Sequence, residues 1–158
     1  MKNRTFIIST IVLGVILVVV TFYMLFVHVP YYNYTHNLDE IRNQICEDNH
    51  YEYLDYFSEY RGKSVYYMLK VNIDGVESYV AYDTDMNLVD IYQGDVVSKE
   101  EVLEKITNKY DVVLEDLDIA YENERFVYYG LYQDDEMLLY VYYDLSSGDF
   151  IKAVKLDE

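Results

Sequence analysis

Four side chains of the 158-residue chain offer nucleophilic, basic or soft-metal chemistry: His28, His36, Cys46 and His50. A Cys and His pair would need a third group to orient the imidazole and donors for an oxyanion, and no motif around these positions supplies either. The three between His36 and His50 follow no recognised metal-ligand spacing, so Cys46 reads as a small apolar side chain. Asp83-Thr84-Asp85-Met86-Asn87 spells D-x-D-x-N, the opening of a calcium loop. Such a loop needs Gly at its sixth position and Glu at its twelfth, where this chain has Leu88 and Gly94. The segment reads as a hairpin turn instead. Asp134-Asp135 also falls in a turn, where two solvated carboxylates have no basis for dividing acid and base roles. No catalytic, cofactor-binding or metal residue is therefore assigned; the expectation is a protein that is not an enzyme and takes no cofactor.

The elements around these residues are written twice. Val65-Tyr66-Tyr67-Met68-Leu69 followed by Tyr79-Val80-Ala81-Tyr82-Asp83 is echoed by Val127-Tyr128-Tyr129-Gly130-Leu131 and Tyr140-Val141-Tyr142-Tyr143-Asp144. In the echo, Asp144-Leu145-Ser146-Ser147-Gly148 keeps the turn of the D-x-D-x-N segment without its acidic ladder. Leu54-Asp55 matches Leu117-Asp118, and Ile41 and Ile45 match Val102 and Ile106. The chain holds 21 Tyr residues, which suits half-buried strands with one apolar and one wet end to each side chain. A recognition role for them would be favoured by exposure of Tyr128, Tyr132, Tyr140 and Tyr142 on one sheet face.

Phe6 to Val29 contains no Asp, Glu, Lys or Arg, and its 24 residues reach roughly 36 Å as a helix, enough to cross a bilayer. A cleaved signal peptide would have a shorter apolar run and a small-residue cleavage site, which Phe26-Val27-His28-Val29-Pro30 lacks, so an uncleaved anchor is expected. Pro30 is expected to end the span, with Tyr23, Tyr31, Tyr32 and Tyr34 at headgroup level. Lys2 and Arg4 precede the span and no basic residue follows until Arg42, which predicts a cytoplasmic N-terminus and an extracytoplasmic remainder. The net charge is −17 and those two are the only charges before position 31, so the remainder carries −19. Such a surface repels nucleic acid and anionic lipid. A hydrophobic content of 52% in patterned runs excludes a disordered acidic tail, and a single cysteine excludes an intrachain disulfide.

After the span, Leu38, Ile41 and Ile45 follow helical spacing up to the polar run Glu47-Asp48-Asn49-His50. Strands are predicted at about 54–60, 65–71, 77–83 and 88–92, with Asp74-Gly75 as a primed hairpin turn. Ser98-Lys99-Glu100-Glu101 predicts a capping box, in which the Ser98 hydroxyl and the Glu101 carboxylate each take up a backbone donor. Val102, Leu103, Ile106 and Tyr110 give that helix its apolar face, and Glu101 pairs with Lys105. Strands follow at about 117–122, 125–133, 137–144 and 150–154. The predicted fold is α+β: an N-terminal transmembrane helix, then two tandem units, each one helix packed on a four-stranded antiparallel sheet. The expected organisation is a cytoplasmic N-terminus at 1–5, a transmembrane helix at 6–29, a first unit with its juxtamembrane helix at 31–93 and a second at 94–158. Units of this size are marginal alone, so they are expected to pack together or to extend one another's sheet.

Three stretches carry a family resemblance: Gly62 to Lys70, Ser98 to Ile106, and Tyr140 to Lys152 with its Asp144-Leu145-Ser146-Ser147-Gly148 turn. In these, and in layout along its whole length, the chain resembles the TseB-like cell wall elongation regulators of Gram-positive bacteria, which carry tandem PepSY/cystatin-like units behind a membrane helix. It departs from that pattern in its acidity, its Tyr content and the glycine-free turn Gln133-Asp134-Asp135-Glu136. The resemblance implies a non-enzymatic, single-pass membrane protein that acts with a penicillin-binding transpeptidase or another wall-synthesis protein. The alternative it implies is a PepSY-type peptidase inhibitor or chaperone-like module.

Overall fold

A computed structural model describes residues 2–135 and 137–157. The last residue of the glycine-free turn, Glu136, and the side chains of Lys2 and Arg4 lie outside the described part. The chain divides into two compact units, Met1–Ile45 and Cys46–Glu158.

From the first unit, α1 (Lys2–Tyr23) runs through a π-helical turn, Met24–His28, into α2 (Val29–Asn49), whose residues from Cys46 onward belong to the second. Pro30 was expected to end the helix and does not. Proline has no N–H and its ring crowds the carbonyl four residues back, and a local widening of the helix relieves both problems. The widened turn lies just ahead of the proline: the Val29 N–H reaches back five residues to the Met24 carbonyl. Val29 itself stays helical, at φ −66° and ψ −46°. From Thr10 onward this is one helix long and apolar enough to cross a membrane by length and composition, and its apolar stretch is unburied. Tyr23, Tyr31, Tyr32 and Tyr34 are all exposed along it.

The second unit contains two four-stranded antiparallel meanders. β1 (Glu52–Arg61), β2 (Val65–Ile73), β3 (Val76–Tyr82) and β4 (Leu88–Tyr92) form the first; β5 (Asp118–Tyr121), β6 (Phe126–Gln133), β7 (Met137–Asp144) and β8 (Phe150–Asp157) form the second. α3 (Lys99–Tyr110) lies between them in sequence. The sheets pack together and are not joined edge to edge: Tyr60, Met68 and Ala81 of the first share a core with Ile119, Val127 and Tyr142 of the second.

Local chemistry accounts for most turns. Asp74 and Gly75 have φ of 53° and 88°, the primed hairpin their sequence predicts. Asp83 Oδ1 accepts from the N–H groups of Asp85 and Asn87, both at 2.9 Å, and Asp144 Oδ1 accepts from those of Ser146 and Ser147 at 3.0 and 3.1 Å. The calcium-like segment is therefore a turn held by its first aspartate, and both repeats use it. These hydrogen bonds hold the Asp83 carboxyl below its ordinary value. Ser98 Oγ accepts from the Glu101 N–H at 3.2 Å, but only this half of the predicted capping box forms among the described residues. The Glu101 carboxylate lies 2.9 Å from Lys105 instead. Asp111, at φ 55°, ends the helix in the left-handed conformation.

The two copies are offset by one residue from the alignment their sequences suggest. Counting back from the equivalent turn aspartates, Tyr82 matches Tyr143; Tyr82 pairs with Tyr67, whereas Tyr143 pairs with Tyr128. Tyr67 is thus equivalent to Tyr128, Met68 to Tyr129 and Leu69 to Gly130. Met68 and Tyr129 both face the neighbouring sheet, as this equivalence requires. Leu54-Asp55 likewise fails to match Leu117-Asp118, because Ser58 lies opposite Met68 and Asp118 opposite Tyr129. With a period of two, a shift by one would turn each strand inside out, so burial overrides the run of similar letters.

Gly130 is required where it stands. A Cβ there would collide with Leu114 Cδ2 and lie 2.8 Å from Leu117 Cδ2. Both leucines are buried, on the segment between α3 and β5. Gly130→Ala should lower stability by about 1–3 kcal/mol through overpacking, read as a lower denaturant midpoint with an unchanged slope.

Candidate functional site

The candidate catalytic side chains do not assemble into a site. His36 Nε2 is 3.3 Å from Glu40 one turn along α2 and its ring stacks on Tyr32, while His28 closes the π-helical turn. Cys46 is half-buried near the end of α2, and His50 follows that helix at φ 57°. Among the described residues no three His, Cys, Asp or Glu side chains are grouped as a metal would need.

Tyrosine use is mixed. Tyr128 and Tyr142 are buried at 3% and 8% exposure, and they occupy opposite faces of the second sheet, so the four tyrosines do not form one exposed recognition face. Tyr128 donates to the Val97 carbonyl at 2.6 Å on the face nearer α3. Tyr142 stands on the other face beside Tyr129 and Tyr60.

The polar centre of the second unit lies where the sheets meet, at a residue the sequence did not single out. Glu122 immediately follows β5 and is 7% exposed. One carboxylate oxygen accepts from the Tyr60 hydroxyl at 3.0 Å, the other from the Lys152 ammonium at 2.6 Å. Lys152 also lies over the Tyr142 ring, 4.2 Å from its centre. Burial alone would raise the Glu122 carboxyl, but the hydrogen bonds from Lys152 and Tyr60, with the charges of Lys152 and Lys63, hold it below its ordinary value. Tyr60 is pushed up by burial, then by Tyr142 and by the Glu122 charge, so its phenol keeps its proton and donates. Nearby, the Tyr121 hydroxyl donates to Asp90 at 3.1 Å; burial first and Asp90 second push that phenol up to about 12. On β1, the Tyr56 hydroxyl accepts the Ile119 backbone N–H at 2.7 Å.

A cleft of about 710 Å³ opens beside this junction, lined by Lys63, Ser64, Tyr66, Val89, Asp90 and Tyr121 to Glu124. Its floor includes the two-residue turn Asn123-Glu124, both at positive φ, with the Glu122 N–H donating to the Arg125 carbonyl across it. Glycine is usual at the second position of such a turn and Glu124 stands there instead, in the gap left between the strands predicted at 117–122 and 125–133. Glu122 and Asp90 are already held by lysine and tyrosine partners, which makes them a joint between sheets and a poor source of general acid or base.

No family model and no curated protein matches the chain. Among solved structures, the YpmB protein from Bacillus subtilis superposes with a TM-score of 0.58, covering 75% of this chain and 96% of its own, at 18% identity. At that identity the likeness establishes the fold: an N-terminal apolar helix followed by two four-stranded antiparallel sheets.

The junction should make stability pH-dependent. The Glu122 carboxyl is depressed in the folded state, so its contribution is complete above the ordinary glutamate value of about 4.3 and is lost as pH falls through the lower folded value. Melting temperature should fall in that acidic window, and Glu122→Gln should flatten this part of the profile. At neutral pH Glu122→Ala should cost about 2 kcal/mol or more, because Tyr60 and Lys152 lose their shared acceptor. Equal acid sensitivity in parent and Glu122→Gln would contradict the assignment.

Proposed function

We propose that the protein is a single-pass membrane protein with a cytoplasmic N-terminus, whose extracytoplasmic two-sheet domain binds another membrane protein without catalysing a reaction and so modulates cell wall elongation. The partner in this reading is a penicillin-binding transpeptidase or a related wall-synthesis protein. The observation that carries it is the combination of an unburied apolar helix with a YpmB-like pair of sheets whose most buried carboxylate is held between a lysine and a tyrosine. Three further features support it. Lys2 and Arg4 lead the apolar stretch, as the positive-inside bias requires of a cytoplasmic end. The acidic surface disfavours nucleic acid and anionic lipid. The resemblance in the Gly62 to Lys70, Ser98 to Ile106 and Tyr140 to Lys152 stretches points to the same class of regulator.

In-cell crosslinking of the full-length protein, followed by identification of the captured proteins, tests this directly. Recovery of a penicillin-binding transpeptidase is the expected result, together with altered cell shape when residues 31–158 are deleted in the source organism. A secreted peptidase in its place would favour the inhibitor or chaperone-like alternative. An unchanged cell shape with no wall-synthesis protein captured would overturn the proposal.

A further inference from the structure

The second sheet is closed on the face nearer α3, where Tyr128, Leu139, Val141 and Tyr143 are buried. Its other face is covered over part of its area. The Tyr60 ring from the first sheet packs edge-on against Tyr129, which in turn packs against Tyr142. Beyond that row the cross-strand register sets Leu131 beside Tyr140 and Val154, and Gln133 beside Leu138 and Leu156. Leu131, Val154 and Leu156 are 46%, 43% and 53% exposed, and Leu138 and Tyr140 are half-buried. A solvated antiparallel face ordinarily places polar side chains outward; here five of six outward positions are apolar. The bare rows continue the intersheet packing past the point where the first sheet stops covering it.

Charge selects what can complete that packing. Two acidic and three basic residues precede Cys46, so the 29 acidic and 12 basic residues of the chain leave this unit at −18. Glu115 lines a hollow of about 380 Å³ together with Leu131, and Asp134 and Asp135 stand exposed at the β6–β7 turn. A second copy would bring −18 against −18, and anionic lipid would be repelled in the same way. We propose that the open face of β6, β7 and β8, centred on Leu131, Tyr140, Val154 and Leu156, is the docking surface for a partner protein whose contact region has an apolar centre and a Lys- and Arg-rich rim. This rests on the reading of the protein as a binding module and assigns that module its face.

The test places a photocrosslinking amino acid at Val154 in the full-length, membrane-inserted protein, with Val76 on the β2–β3 hairpin as the reference position. Irradiation is expected to give an adduct from Val154 and not from Val76, to a protein with a basic extracytoplasmic domain. Leu131→Lys should lower its yield about tenfold and Leu131→Glu distinctly less, an order that an apolar contact without charge selection does not produce. Leu156→Lys should repeat the loss should Leu131→Lys prove unfolded by its melting curve. Capture of a basic protein unrelated to wall synthesis would keep the docking face and overturn the elongation reading. Capture of a transpeptidase from Val76 but not from Val154 would overturn the docking face and leave the elongation reading standing. The docking face is also overturned by adducts to a second copy or to lipid, by no adduct at Val154, or by a yield that both lysine variants leave unchanged.

Discussion

The second unit depends on one buried carboxylate. Glu122 joins a phenol from the first sheet to an ammonium on the edge strand of the second, and it does so at 7% exposure. A bare carboxylate at that depth would cost several kcal/mol in lost hydration. Its three neighbours change the sign: Tyr60 and Lys152 each occupy one oxygen, and Lys152 is further held over the Tyr142 ring. Apolar contact draws the sheets together without specifying an angle or register between them. A charged acceptor with two directional donors does specify one. The junction therefore sets how one sheet meets the other, while Met68, Ala81, Val127 and Ile119 supply the burial around it.

The signals legible in the sequence were those encoded over short range. Asp74-Gly75 announces its hairpin, Ser98 its helix start, and the period-two and period-3.6 patterns their strands and helices. Glu122 carried no such signal, because its partners stand 62 residues before it and 30 after it. Only the register of eight strands brings them together. Pro30 misled for a related reason: the rule that proline stops a helix assumes uniform α-helical geometry, and a single π turn suspends that assumption. The Asn123-Glu124 turn was legible as the gap between two predicted strands, although Glu124 is not a residue that relieves positive φ cheaply.

The internal repeat was legible as a repeat and misleading as an alignment. Val-Tyr-Tyr recurs at Val65 and Val127, yet the structure equates Tyr66 with Val127 and Leu69 with Gly130. Both copies keep an aspartate at the end of their third strand, at Asp83 and Asp144, because that side chain builds the following turn. Position relative to the turn decides which face a side chain joins. The copies then diverged where their surroundings differ. Where the first copy carries Leu69, the second has Gly130, because Leu114 and Leu117 already fill that space. Such complementary change is expected of two copies that share one core and are therefore under joint constraint.

The abundance of tyrosine follows from the same constraint. Two four-stranded sheets in about a hundred residues have little room for a deep core, so many side chains must be apolar along their length and hydrated or bonded at their tip. Phenylalanine would supply equal burial but would leave the Ile119 N–H, the Glu122 carboxylate and the Val97 carbonyl without the hydroxyls that Tyr56, Tyr60 and Tyr128 bring to them. Each of those hydroxyls joins segments distant in sequence, so the phenols do in this cysteine-poor chain what cross-links do in small disulfide-rich domains. The tyrosines are consequently drawn to the seams between elements. The residues left over for the bare rows of the second sheet are mostly aliphatic, Leu131, Leu138, Val154 and Leu156, which gain little from water and bring no hydroxyl to a seam. That division separates the surface used to hold the fold together from the surface still available to another protein.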